Sequence, residues 1–172
     1  MELMMTRKYK QILTSEAVFQ KIKRMAYEVL ENNLDEPQII LVGVFDKGYF
    51  IAEQMQKELS LICDKSISLI KININKENPQ TSSIEIDADG EMMNDQTIIL
   101  VDDVLNSGRT TSYSLSYLLQ FNAKKIEIAA LVNRSHKAFP VTPSYKGYEI
   151  ATMIDEYIEV RVKEEAGVYL HS

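Results

Sequence analysis

The spacing of apolar and polar positions changes several times along the chain, and each change predicts an element. Over residues 15–33, Val18, Ile22, Met25 and Val29 recur at helical spacing, with Lys21, Lys23, Arg24, Glu28 and Glu31 between them. This predicts one amphipathic helix, capped by Thr14 or Ser15, with Pro37 shortly beyond its end. Ile39-Ile40-Leu41-Val42-Gly43-Val44 and Ile98-Ile99-Leu100-Val101 are apolar runs of the kind expected in strands covered on both faces, and residues 126–132 read the same way. Residues 67–74 alternate in their second half, and residues 83–86 fit a short strand pairing back. Further helices are expected from Tyr49 to about Ser60 and from about Thr111 to Phe121, with short strands at 148–152 and 157–162. Residues 75–82, polar and containing Pro79, read as an exposed mobile loop, and residues 163–172 as a loosely held tail.

Strands alternating with helices, without repeats or linker-like stretches, imply an α/β fold with a doubly wound, mainly parallel sheet. One domain spans residues 1–172, its core at about 12–162. The net charge of −6 argues against broad attraction to nucleic acid or an anionic membrane. Residues 1–10 carry no apolar export segment and no run is long enough to span a bilayer, so a soluble, cytoplasmic protein is expected. Cys63, the only cysteine, excludes an intramolecular disulfide.

Candidate chemistry sits where predicted strands end, the edge at which open α/β sheets bind ligands. Asp102 and Asp103 close one apolar run, and Asn106-Ser107-Gly108-Arg109-Thr110-Thr111 then leads into a helix. Such a turn offers amides, hydroxyls and a helix N-terminus to an anion, with phosphate the natural guest. Phe45-Asp46-Lys47-Gly48 places charge and a glycine after a second strand. Neither the P-loop nor the Rossmann glycine fingerprint is present, there is no nucleophile elbow, and two scattered histidines with one cysteine make a zinc site unpromising. Asp87-Ala88-Asp89-Gly90 reads as a turn, since no twelve-residue calcium loop follows. A phosphoacceptor receiver domain using Asp102 or Asp103 is disfavoured, because the acid pair lies late in the chain and runs into a phosphate-binding turn.

Residues 98–111 resemble the phosphoribosyl-pyrophosphate (PRPP) signature of the type I phosphoribosyltransferases: four apolar residues, two acids, two apolar residues, a variable residue, then Ser-Gly-Arg-Thr. From Ile12 to about Val162 the chain is similar in order and spacing to the pyrimidine operon attenuator/uracil phosphoribosyltransferase family. The matching pieces are Arg24-Met25-Ala26-Tyr27-Glu28, Leu41-Val42-Gly43-Val44 with Lys47-Gly48, Asp102 through Thr110, Leu131-Val132-Asn133-Arg134-Ser135-His136, and Tyr145-Lys146-Gly147. The resemblance implies the type I fold with a small hood from the terminal segments. It also implies Mg²⁺ as cofactor, PRPP as cosubstrate, a nucleobase acceptor, and a homodimer or higher homo-oligomer.

Roles follow by position. Asp102 and Asp103 are expected to hold the ribose hydroxyls, directly or through Mg²⁺ and its waters. Asn106, Ser107, Gly108, Arg109, Thr110 and Thr111 are expected to hold the 5′-phosphate, and Asp46, Lys47 and Gly48 the pyrophosphate, at a loop where the family often keeps a cis peptide. Lys76 stands as a catalytic candidate where family members usually have arginine entering the mobile loop. Asn106 replaces the aspartate of purine-salvage relatives and the usual tyrosine of the pyrimidine family, and asparagine cannot act as a general base. Asn133, Met153 and Ile154 are candidate base contacts, with core packing the alternative for the last two. The segment Ser135-His136-Lys137-Ala138-Phe139 aligns with the family's RNA-binding region but keeps few basic residues, so RNA is a disfavoured partner. The expected function is phosphoribosyl transfer to uracil. A non-catalytic PRPP- or nucleotide-sensing regulator and a purine-base enzyme remain the alternatives.

Overall fold

A computed structural model describes residues 8–172; the expected absence of an export segment at residues 1–10 lies mostly outside them. Its elements follow the chain as β1 (Tyr9–Thr14), α1 (Ser15–Asn32), β2 (Gln38–Val44), α2 (Lys47–Ile62), β3 (Ser66–Asn73), β4 (Glu85–Ile86) and β5 (Thr97–Leu105). After these come α3 (Arg109–Leu118), β6 (Lys125–Arg134), β7 (Tyr145–Ile150), β8 (Tyr157–Arg161) and β9 (Gly167–His171).

The main sheet has the order β4-β3-β2-β5-β6-β7, parallel except for β4, which pairs back on β3 through Ile72–Ile86. Successive residues of the apolar runs face opposite layers, and both layers are covered. Ile39, Leu41, Ile99 and Val101 pack with α1 and α2 around Met25, Val29, Met55 and Leu59. Ile40, Val42, Ile98 and Leu100 pack with Leu118 of α3 and Met93. Double coverage is why these strands read as continuous rather than alternating hydrophobic runs. Thr14 caps α1, its hydroxyl accepting from the Ala17 amide at 3.2 Å.

A second sheet, β1-β9-β8, is antiparallel and joins both terminal regions into the hood. Here the expected loose tail is corrected, since β9 is the middle strand of this sheet and Val168 is fully buried. Its partners lie roughly 10 and 155 residues away in the chain, a pairing that local periodicity does not carry. β1 had no sequence-based expectation for the same reason. The strand expected at 148–152 runs instead over Tyr145–Ile150, and Thr152 falls in the following loop, where its hydroxyl accepts hydrogen bonds from Arg134. Among the described residues no helix is long and apolar enough to cross a membrane.

Candidate functional site

Three segments meet at the carboxyl edge of the main sheet. β5, at the centre, delivers Asp102 and Asp103, with side chains almost wholly buried. The Asp103 amide donates to Asp102 Oδ1 at 2.9 Å, and Lys76 Nζ lies 3.3 Å from an Oδ1 of each acid. Lys76 therefore sits on the pair as a counter-ion. Burial alone lowers the lysine's affinity for its proton, but attraction to the two carboxylates outweighs this and its pKa is raised.

The same environment splits the acids. Burial, reinforced by the Asp103 charge, pushes Asp102 up to about 8. Burial acts upward on Asp103 too, but Lys76, hydrogen bonds from Asp102 and the Val104 amide, and the nearby Lys47 hold it below the usual carboxylate range. Asp103 thus carries the settled negative charge. Between pH ~4, the ordinary carboxylate value, and about 8, the folded protein keeps a proton on Asp102 that the unfolded chain has released. Rising pH therefore lowers stability across that window. Asp102→Asn removes this titration, and urea unfolding is expected to show the variant gaining on the wild type between pH 5 and pH 8; parallel pH profiles would refute the assignment.

The second segment is the start of α2. The Phe45–Asp46 peptide is cis, Asp46 precedes the first turn, and Lys47 and Gly48 open the helix. A Cβ on Gly48 would stand 2.7 Å from the Val101 carbonyl oxygen, 3.0 Å from Asp102 Cα and 3.2 Å from Asp102 Oδ1. Only glycine lets this loop lie against the acid pair. From the other side, Phe45 N donates to Ile72 O at 3.0 Å, and Lys71 Nζ lies over the rings of Phe45 and Tyr49.

The third segment is the turn into α3. The helix begins at Arg109, two residues earlier than expected, so Arg109, Thr110 and Thr111 form its first turn. Gly108 precedes it at φ +84°, a left-handed conformation suited to glycine, and no side chain caps the helix. In this first turn the amides of Thr110 and Thr111 are left for an anion. Ser107 Oγ accepts from the Arg109 amide at 3.2 Å. The resulting cleft, a cavity of about 120 Å³, is lined by Lys76, Asp102, Asp103, Asn106 to Thr111 and Ile158 of the hood.

Of the base candidates, Asn133 is buried at the end of β6 and its Oδ1 has no hydrogen-bond partner. Met153 and Ile154 are exposed at 71% and 104%, so the core-packing alternative is corrected: the β7–β8 loop turns them outward. Reading the sequence missed three participants. Gln80 accepts from Arg109 Nη2 at 2.9 Å and ties the loop at 75–84 to the start of α3. Ile158 closes one wall from the hood. Arg134 had appeared only as part of a matching stretch, yet it bonds Thr152 and Asn106. All three depend on partners 18 or more residues distant.

The donor set fits a divalent cation of the Mg²⁺ type. Two adjacent carboxylates supply hard oxygen ligands, and Lys76 already marks the position as one that accepts positive charge. No group of three or more His, Cys, Asp or Glu able to hold a metal occurs among the described residues, so such an ion would need oxygens from a ligand and water to complete its shell.

The phosphoribosyl transferase domain family matches residues 8–165. Bifunctional protein PyrR of Haemophilus ducreyi is 33% identical over 167 residues, covering 91% of this chain and 92% of its own. The protein of that name from Staphylococcus haemolyticus is 36% identical over 166 residues, covering 90% and 93%. In fold, a hypoxanthine-guanine phosphoribosyltransferase of Bacillus anthracis superposes with a TM-score of 0.73 at 18% identity, covering 98% of this chain and 99% of that one. A hypoxanthine phosphoribosyltransferase of Staphylococcus aureus gives 0.71 at 17%, covering 87% and 79%. With its acid pair, glycine-opened loop and uncapped helix start all at one sheet edge, the chain belongs to the phosphoribosyl transferase domain family and is of the type I kind, resembling PyrR.

Proposed function

We propose that this protein transfers the phosphoribosyl group of PRPP to uracil, releasing pyrophosphate, in the cytoplasm. The observation that carries the reading is the buried Asp102–Asp103 pair set between the Lys47–Gly48 loop and the uncapped start of α3. Uracil is chosen because the similarity to the pyrimidine family spans most of the chain, and because Asn106 lacks the basicity that purine chemistry by the aspartate route requires.

In this reading the Asp103 carboxylate, and Asp102 once it yields its proton to solvent, accept hydrogen bonds from the ribose diol and would hold Mg²⁺, directly or through water. Bound there, the ion would neutralise diphosphate charge. Amides of residues 108–111 and the hydroxyls of Ser107, Thr110 and Thr111 hold the 5′-phosphate. Lys47 and the amide of Gly48 receive the pyrophosphate, with Asp46 at the loop's entrance. A base nitrogen forms its bond to C1′ as the C1′–O bond to pyrophosphate breaks, through an oxocarbenium-like state. The protein positions the reactants and stabilises charge, and no covalent residue is needed. Lys76 must leave the acid pair to admit the diol, and from the loop at 75–84 it is then available to the departing diphosphate. Asn133 Oδ1, buried and unpartnered, is an acceptor for a base N–H. Met153 and Ile154, on the outward face of the β7–β8 loop, would reach the base only by loop closure.

The test is a panel of uracil, hypoxanthine, guanine, xanthine and adenine with PRPP and Mg²⁺, read by pyrophosphate release. Turnover is expected on uracil; release on none of the five defeats the proposal. One observation favours a second reading, a nucleotide-sensing regulator. The amides of Ala138 and Phe139 both donate to Ser107 O at 3.0 Å, which couples the segment aligned with RNA binding to the phosphate turn. UMP-dependent binding to a leader RNA without turnover would support it. A homodimer or higher homo-oligomer accompanies both readings.

A further inference from the structure

We propose that Arg134 is a positioning residue that fixes Asn106 as a hydrogen-bond donor towards the acceptor base and locks the base-side loop to the phosphate turn. The inference rests on the phosphoribosyltransferase reading above.

Arg134 ends β6, and its guanidinium spans two loops far apart in the chain. On one side its Nε donates to Thr152 Oγ1 at 2.7 Å, and its Nη2 donates to the same oxygen and to Met153 O at 3.3 Å. On the other, its Nη1 donates to Asn106 Oδ1 at 3.4 Å. A planar fork of N–H donors is suited to bridge such acceptors in one fixed geometry, and lysine is not. Lys137 Nζ in turn donates to Arg134 O at 3.1 Å, holding the backbone from which the side chain departs.

The consequence lies in what Asn106 has left to offer. A carboxamide carries one acceptor oxygen and two N–H donors. With Oδ1 engaged by Arg134, Asn106 has its N–H groups for the cleft it lines, and these recognise an oxo group. An oxo-bearing base such as a pyrimidinedione meets that requirement; a base presenting only N–H donors there does not. Arg134 acts through Asn106 and the loop, and need not touch the base.

The prediction is a split between substrates. Arg134→Gln is expected to raise KM for the base about tenfold or more, the loss typical of one charge-assisted hydrogen bond, with KM for PRPP within about twofold of wild type. Asn106→Ala should raise the base KM as well, and the double variant should be no worse than Arg134→Gln alone, because that variant already removes both the Asn106 contact and the loop tie. Thr152→Val weakens the tie to the loop, leaving Arg134 on Met153 O, and should raise the base KM selectively but less, with melting curves as the folding control. Arg134→Lys should restore little, for want of the fork. Additive effects of Arg134→Gln and Asn106→Ala, or a PRPP KM that rises as much as the base KM, would overturn the inference while the wild type still turns over. Absence of wild-type turnover on every base overturns the underlying reading and this inference with it.

Discussion

Asp103→Asn is expected to reduce kcat/KM for phosphoribosyl transfer about 10³-fold, a loss of the size found when a preorganised charge-stabilising group is removed. The two acids are neighbours, but their surroundings divide the work. Asp103 is held ionised by Lys76, two hydrogen bonds and Lys47, whereas burial keeps a proton on Asp102 up to about 8. The group that already bears charge makes the greater electrostatic contribution to the ribose and any bound cation. Asp102→Asn is therefore expected to cost less, about 10²-fold. Pyrophosphate-release kinetics on both variants, with melting curves as a folding control, measure the difference. If Asp102→Asn proves the more damaging, the charge assignment is reversed. Asparagine is nearly isosteric with aspartate, so packing at these buried positions is held constant while the charge of Asp103, or the titrating proton of Asp102, is exchanged for a neutral amide.

The second large effect is expected from a single methyl group. Gly48→Ala places a Cβ 2.7 Å from Val101 O and 3.0 Å from Asp102 Cα, and both contacts are backbone of the central strand. Neither neighbour is free to yield. β5 is hydrogen-bonded to β2 and β6 on its two sides, and α2 is anchored by Ile51, Ala52, Met55 and Leu59, all fully buried. The strain must appear as displacement of the α2 start, at a cost of about 1–3 kcal/mol typical of overpacking. Because the same Cβ falls 3.2 Å from Asp102 Oδ1, the carboxylate moves as well. Lower stability in urea together with loss of PRPP binding is the expected pair of results. A variant that loses stability but binds PRPP normally would show that the loop's approach to the acids has no functional role.

How much of this was legible in the sequence depends on the range of the forces involved. α1 appeared because Val18, Ile22, Met25 and Val29 make a face by themselves, and Thr14 caps that helix from three residues away. β2 and β5 appeared because burial on both faces leaves no polar position to interrupt the run. The short return strand β4 was also visible, since its partner lies just across a polar loop. Segments that form only with distant partners were not. β9 has five residues and no pattern beyond alternation, and it becomes a strand because β1 and β8 are both there to accept its hydrogen bonds.

The site divides along the same line. By itself the sequence determined the contiguous candidates: two acids, a small hydroxyl-rich turn and a Lys-Gly loop, each at a strand's end. Tertiary structure decided everything that depends on convergence from different segments. It put Lys76 on the acid pair, split the two pKa values, tied Gln80 to Arg109, turned Met153 and Ile154 outward, and gave Arg134 its hold on Asn106 and Thr152. The physical reason is that local pattern reports which backbone conformation buries apolar surface, whereas charge, desolvation and hydrogen-bond direction depend on distance in space, which the order of residues does not state.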